Sequence, residues 1–496
     1  MKGAPAFTIT DIECLERDVV LRMPFRFGVV TLREAPQAFV RASIRLADGR
    51  EASGAAAELL APKWFDKDPA LSNDDNFEQL RHSIALAGDA YRAGGAHTAF
   101  GHFAAHYGGH RARCADAHLN GLVAGFGPAL IDRAVLDALC RALGVPFSFA
   151  VRENLAGITQ TLAPDLAGFD LDGFLAGLTH APAIAARHTV GLVDPITAAG
   201  IRAPVGDGLP ETLEQVVQRY GHRWFKLKVG GDLAADVERL TAIASVLDRL
   251  AQPYHVSLDG NEQYDDVEGV VELWRRVLES PGLRRLADSV IFIEQPIRRT
   301  AALSRDIRSL AAHRPVIIDE SDDSLDAFPQ ARALGYTGVS SKTCKGLYKS
   351  ILNRARCERW NAEAGQATYF MSAEDLTIQA GLALQQDLAL VSLLGIGHVE
   401  RNGHHYVNGM AALPEGEQRA FLAAHPDLYE RSHGATRVAI RDGLLAIGSL
   451  DAPGFASSAM PDWTSMRAMR DGWPASGGRP ASGGRPASGG GSVSGG

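Results

Sequence analysis

Between about residue 187 and residue 400 the sequence keeps one rhythm: a short apolar segment, a few polar residues, then an amphipathic helical pattern. The apolar segments are "RHTVGLVD", "WFKLKVG", "YHVSLDGN", "SVIFIEQP", "RPVIIDES", "TGVSSKT", "ATYFMSA" and "GHVER". Between them lie stretches such as "LAADVERLTAIASVLDRLAQ" and "LYKSILNRARCERWNAEA". Eight strands alternating with helices predict a (β/α)8-type barrel rather than an open sheet. No other feature narrows the fold as far.

The flanks read differently. Residues 1–152 carry alternating segments, "DVVLRMPFRFGVVTL" and "AFVRASIRLADGREASGAAAELL", with "ADGRE" as the turn, followed by helices. They predict an α+β domain, joined through a loosely patterned linker at 153–186 to a barrel at 187–400. Residues 401–470 form a C-terminal segment returning to that first domain. From 471 the repeated "RPASGG" and final "GSVSGG" cannot bury apolar surface and predict a flexible tail.

Composition excludes several classes. Lys plus Arg number 50 against 58 Asp plus Glu, a formal charge of −8, with no basic stripe for nucleic acid. The five cysteines are scattered and lack a CxxC pair, as in reduced cytosolic thiols. The N-terminus has no apolar stretch long enough for a signal peptide, and Leu376–Gly397 reads as a packed helix, not a membrane span. A cytoplasmic protein acting on a small molecule is expected.

In such a barrel the chemistry sits at the C-terminal ends of the strands. Those ends carry Lys226 and Lys228, then Asp259 and Asn261, Glu294, Asp319 and Glu320, and Lys342. Lys226 and Lys228, two apart, share a strand face. Carboxylates on three successive strands suit a hard cation such as Mg²⁺, with lysines on either side of it. The same residues could instead be an ion-pair network at a barrel rim.

Taken in strand order, "KLK", "DGN", "EQP", "DES" and "SSK" resemble the enolase superfamily, its muconate-lactonising branch more than its mandelate racemase branch. The first domain resembles that family's capping domain, with "PFRFG" and "AAELLAPKWFDK" as substrate-covering loops and "IDRAVLDALCRALGVPF" as the helix before the barrel. The resemblance implies metal ligands at Asp259, Glu294 and Asp319, with Asn261 and Glu320 supporting them. It implies Mg²⁺, or Mn²⁺ in its place, and an acid/base pair of Lys228 and Lys342. Lys226 would hold the substrate carboxylate or lower the pKa of Lys228. A lysine near its usual pKa of about 10.4 is a poor base, and like charge and desolvation would depress that value. The reaction implied is removal of an α-proton from a carboxylate substrate through an enediolate, by a racemase, epimerase or cycloisomerase. A dehydratase on the same site, or a barrel that binds without catalysing, are the alternatives; the family implies a homo-oligomer. A Schiff-base aldolase using Lys342 would leave the three carboxylates without purpose.

Further substrate contacts are expected of Arg26, Lys63 and Trp64 in the covering loops, and of Lys345 and Glu374 at the mouth. For Lys345 a solvated position at a helix start is the equal alternative, and for Glu374 or Asp375 a helix cap is the plainer reading. Strand eight, "HVERNGHHY", lacks the Asp-x-Asp of the family's dipeptide epimerases, and His404 and His405 read as loop or capping residues rather than ligands. "HTAFGHFAAHYGGHRARC" spaces His102, His106, His110 and Cys114 four apart. Ligands strung along one straight helix cannot all reach one zinc ion, and Gly108–Gly109 weaken the helix, so a partly exposed segment is expected.

Overall fold

The computed structural model describes residues 3–27 and 30–472, so the Gly/Ser/Pro-rich tail lies outside the described residues except for its first two positions. Three antiparallel strands open the chain: β1 (Phe7–Phe27), β2 (Val30–Leu46) and β3 (Glu51–Leu59). The turn between β2 and β3 closes through Leu46 N–H to the Arg50 carbonyl at 2.9 Å, with Gly49 at φ +86°. Two register shifts interrupt β1, the second between Val20 and Phe25, and the strand then continues as far as Phe27.

Three helices cover this sheet: α1 (Asn73–Ala93), α2 (Ala99–Asp116) and α3 (Gly121–Leu143). Ser72 and Asp75 form a capping box at the start of α1, and Asn120 caps α3. α3 lies so close to its neighbours that two glycines are required. A Cβ on Gly54 of β3 would meet Ala138 N at 2.1 Å, and one on Gly127 would meet the Ser83 carbonyl at 2.2 Å.

α2 departs from expectation. It runs unbroken through Gly108–Gly109, and His102, His110 and Cys114 are buried. His102 Nε2 donates to the Phe7 carbonyl at 3.0 Å and His110 Nε2 to the Ala124 carbonyl at 2.8 Å. The histidines therefore fasten the helix to its neighbours, which offsets the cost of its glycines.

Eight parallel strands then close a barrel: β4 (Ala183–Val190), β5 (Trp224–Lys228), β6 (His255–Asp259), β7 (Val290–Glu294), β8 (Val316–Ile318), β9 (Gly338–Ser341), β10 (Phe370–Ala373) and β11 (His398–Arg401). β11 pairs with β4 to complete the ring. Helices such as Leu233–Leu247, Val267–Glu279 and Leu347–Ala364 pack outside it. At the floor, Trp224 stacks on His255 and His398 with ring centroids 4.1 and 4.3 Å apart.

The expected helix over Leu376–Gly397 is shorter, covering Leu382–Leu393. Asp375 accepts from Ile378 N at 2.6 Å and turns the chain, so neither Glu374 nor Asp375 caps a helix, and Leu376 and Thr377 are left in a loop at the mouth. No helix among the described residues is long and apolar enough to cross a membrane, and the five cysteines are unpaired.

After the barrel the chain returns to the first domain. Phe455 stacks on Phe147 at 3.9 Å, and its N–H donates to Asp137 of α3 at 2.6 Å. Asp137 also accepts from Ala55 N at 2.9 Å, tying α3, β3 and this segment at one buried carboxylate. Arg467–Ala468 finally pairs antiparallel with β1, with Arg467 bridging Glu16 and Asp18.

Candidate active site

The period of two along β5 turns Phe225 and Leu227 outward and Lys226 and Lys228 into the barrel. Lys226 is 1% exposed. Its Nζ lies 2.9 Å from Asp259, 2.8 Å from Glu294, 2.7 Å from Glu374 and 3.0 Å from Glu400. Burial alone would lower the pKa of this ammonium, but the four carboxylates outweigh burial and hold it well above the ordinary lysine value.

Below it sits Arg187 of β4, fully buried. It donates to Ser257 Oγ at 2.9 Å, to the Ala373 carbonyl at 2.8 Å and to the Glu374 carboxylate, and it lies over the Phe292 ring at 5.3 Å. The barrel axis thus carries an aromatic floor, then a guanidinium, then an ammonium, each charge neutralised by carboxylates from facing strands. Such pairing offsets a desolvation cost of several kcal/mol per ion.

At the mouth, Lys228 reaches Asp259 at 2.5 Å, and Lys342, just past β9, reaches Asp319 at 2.7 Å. β5 and β9 are four places apart in the ring of eight, so the two lysines stand on opposite sides. Burial opposes the charge on Lys342, but Asp319 outweighs it and the pKa is raised. At Lys342 this is the reverse of the depression that the sequence predicts for a lysine base, because the Asp319 carboxylate is in direct contact.

The loops after β6 to β8 set the carboxylates. Asp259 Oδ1 accepts from Asn261 N at 2.8 Å. Gln295 Oε1 accepts from Asp319 N and Ser321 N at 2.8 and 3.1 Å, stapling the end of β7 to the end of β8. Beyond β8 the neighbours Asp319 and Glu320 diverge. Asp319 turns to Lys342, while Glu320 turns to Asn261 Nδ2 at 3.2 Å and lines an outer cleft with Lys67 and Glu262. Burial together with Asp259 and Glu374 pushes Glu294 well above the carboxylate range.

Glu320 Oε2 and Asn261 Oδ1 are buried and have no hydrogen-bond donor among the described residues, while Glu294 Oε2 meets the Lys226 ammonium at 2.8 Å. An all-oxygen donor set from adjacent strands with spare lone pairs fits a hard dication such as Mg²⁺.

The first domain roofs the site. Phe25, Phe27, Leu32, Trp64 and Leu376 wall the space above Lys228 and Lys342, and the Trp64 ring lies 4.2 Å from Lys342 Nζ. Arg299 fastens the Trp64 loop: it pairs with Glu262 at 2.7 Å and donates to the Phe65 and Trp64 carbonyls at 3.0 and 2.8 Å. Lys67 adds contacts to Glu262 at 2.5 Å and to the Asn261 carbonyl at 2.9 Å.

Several residues expected at the substrate lie elsewhere. Arg26 is exposed, because strand parity gives Phe25 and Phe27 the inner face. Lys63 Nζ donates to the Asp68 and Leu71 carbonyls of its own loop. Lys345 is not solvated: it is buried behind the site against Ser340 at 2.7 Å, Asp322 at 3.0 Å and the Asp319 carboxylate at 3.3 Å. Glu374 is sealed between Arg187 and Lys226. Arg187, Gln295, Arg299 and Lys67 were not singled out from sequence. An arginine inside an apolar strand segment was the available signal for Arg187, of the same kind as Lys226.

Residues 208–456 match the family model described as "Enolase C-terminal domain-like". Among solved structures, the chain is similar to a muconate lactonizing enzyme from Pseudomonas fluorescens complexed with muconolactone (20% identity, 92% of this chain and 97% of that one, TM-score 0.55). It is similar to a 2-chloromuconate cycloisomerase from Rhodococcus opacus 1CP (18% identity, 91% and 97%, TM-score 0.55). A third is an enolase-superfamily member from Roseovarius nubinhibens ISM complexed with magnesium (18% identity, 93% and 97%, TM-score 0.51). No curated protein matches the chain.

Proposed function

The chain belongs to the enolase superfamily, and on that premise we propose that it removes the proton α to the carboxylate of a small molecule, acting as a racemase, epimerase or cycloisomerase. The observation that carries this reading is the placement of Lys228 and Lys342 on opposite sides of the Asp259, Glu294 and Asp319 carboxylates. One lysine takes the α-proton from one face, and the other delivers a proton to the opposite face or stabilises the charge that replaces it.

Asp259, Glu294 and Asp319 would hold Mg²⁺, with Asn261 and Glu320 beside them. Bound there, such an ion would supply the positive charge that a carboxylate needs when its α-proton leaves. The protein's own contribution is positioning. Gln295 fixes Asp319, Lys226 holds Asp259 and Glu294 close, and the roof covers the lysines with apolar side chains. Phe25, Phe27, Leu32, Trp64 and Leu376 favour a substrate whose remote end is apolar and flat. A sugar acid, with a hydroxyl on every carbon, would leave those groups without partners against such walls.

Proton NMR in D₂O over α-substituted carboxylates with apolar side groups, with Mg²⁺ and again with EDTA, tests the proposal. Loss of an α-proton signal only with the metal is the expected result. A carboxylate proven to bind that exchanges no proton under either condition would instead make the barrel a binding protein.

A further inference from the structure

A second cluster lies outside the barrel wall, away from the carboxylates. His188 on β4, His222 in the loop before β5 and His404 after β11 each bring one ring nitrogen to within 4.8 Å of the other two. The ring centroids are 5.4 Å apart for His188–His222, 6.0 Å for His188–His404 and 5.8 Å for His222–His404. His188 is 2% exposed and His222 0%.

The hydrogen bonding around these rings is incomplete. His222 Nδ1 lies 2.9 Å from the Ala186 carbonyl, which can only accept, so the proton sits on Nδ1 and Nε2 presents a lone pair. Nε2 is buried and has no hydrogen-bond partner among the described residues, as is true of His188 Nδ1 and of both His404 nitrogens. Buried polar atoms of this kind are few in folded proteins and call for an explanation. A carbonyl bond to the far nitrogen is also the usual way in which a metal-binding imidazole is oriented.

The geometry points to a tri-histidine site for a divalent transition-metal ion, zinc above all, formed by His188, His222 and His404. Imidazole donors without carboxylate select such ions over Mg²⁺. Tetrahedral ligation at about 2.0–2.1 Å needs the three nitrogens to draw in to about 3.3 Å. Burial keeps all three imidazoles neutral at ordinary pH, with His222 lowered to about 4. Two nearby guanidiniums are already neutralised, Arg22 by Asp207 at 2.6 Å and Arg401 by Asp387, while Arg437 is held by the Ser432 carbonyl and Asn408. His404 also lines a pocket with Tyr220, Arg401, Gly409 and Arg437, which gives the ion a way in. Once bound, the ion would tie the first, second and last barrel strands together at the seam where the ring closes.

The test uses tag-free, full-length protein stripped with EDTA and titrated with Co²⁺ in excess Mg²⁺, so that the carboxylate site is occupied. The expected result is one equivalent of Co²⁺ per chain with tetrahedral ligand-field absorption, displaced by Zn²⁺, and imidazole scattering in the X-ray absorption spectrum. H404N, at the least buried of the three positions, is expected to lose that equivalent. Retention of no Co²⁺, an oxygen-only coordination sphere, or an unchanged equivalent in a folded H404N would each overturn the site. The X-ray absorption result on the unaltered protein decides the matter if the variant does not fold.

Discussion

Glu58 sits wholly buried on β3, with Arg133 at 3.0 Å and Thr343, the residue after Lys342, at 3.2 Å. Burial raises its carboxyl to about 7 even with Arg133 beside it. A carboxyl whose folded pKa exceeds its unfolded value makes the native state bind more protons, so its ionisation costs stability as pH rises from about 4.5 to about 7. Thermal unfolding of E58Q and the parent from pH 5 to 8 should therefore show a flatter pH profile for E58Q. The difference in slope integrates to roughly 3 kcal/mol at most. At the mouth, K228A and K342A should each lower D₂O exchange by about 10²–10⁴, in opposite enantiomers for a racemisable substrate. Which strand-end side chains face inward was legible from the sequence, since a period of two fixes parity once a strand is recognised. The same alternation turns Arg26 outward on β1; only the resemblance to a substrate-covering loop points it at the substrate.

Among the elements, the Trp64 loop depends most on distant partners. It is anchored by Arg299 and Lys67 to residues that follow β6 and β7, some two hundred positions later in the chain. R299A should loosen the roof while leaving the barrel folded, lowering kcat/KM by about 10–100-fold and opening the loop to limited proteolysis, both measurable on the same preparation. The alternation of strands and helices was readable because each has its own apolar period. What failed were boundaries set by tertiary contacts. α2 survives two glycines because His102 and His110 bond across to other elements. The run after β10 stays open because Asp375 bonds to both Ile378 and Asn402. Neither contact is visible in a local window of sequence.

In the whole molecule, barrel and roof divide the labour: strand ends supply charge, and the first domain supplies apolar walls. The sheet of that first domain is not complete until Arg467–Ala468 pairs with β1. Deletion from residue 462 onward would remove this pairing and the Arg467 bridges to Glu16 and Asp18. The shortened protein should show a lower Tm and, by size-exclusion chromatography, association through the uncovered edge. The pairing also sets a clock. Ribosomes add about 5–20 residues per second, so β1 emerges on the order of half a minute or more before its edge partner exists. Throughout that interval the outer edge of β1 at Leu15 and Glu16 waits for the last partner to be made.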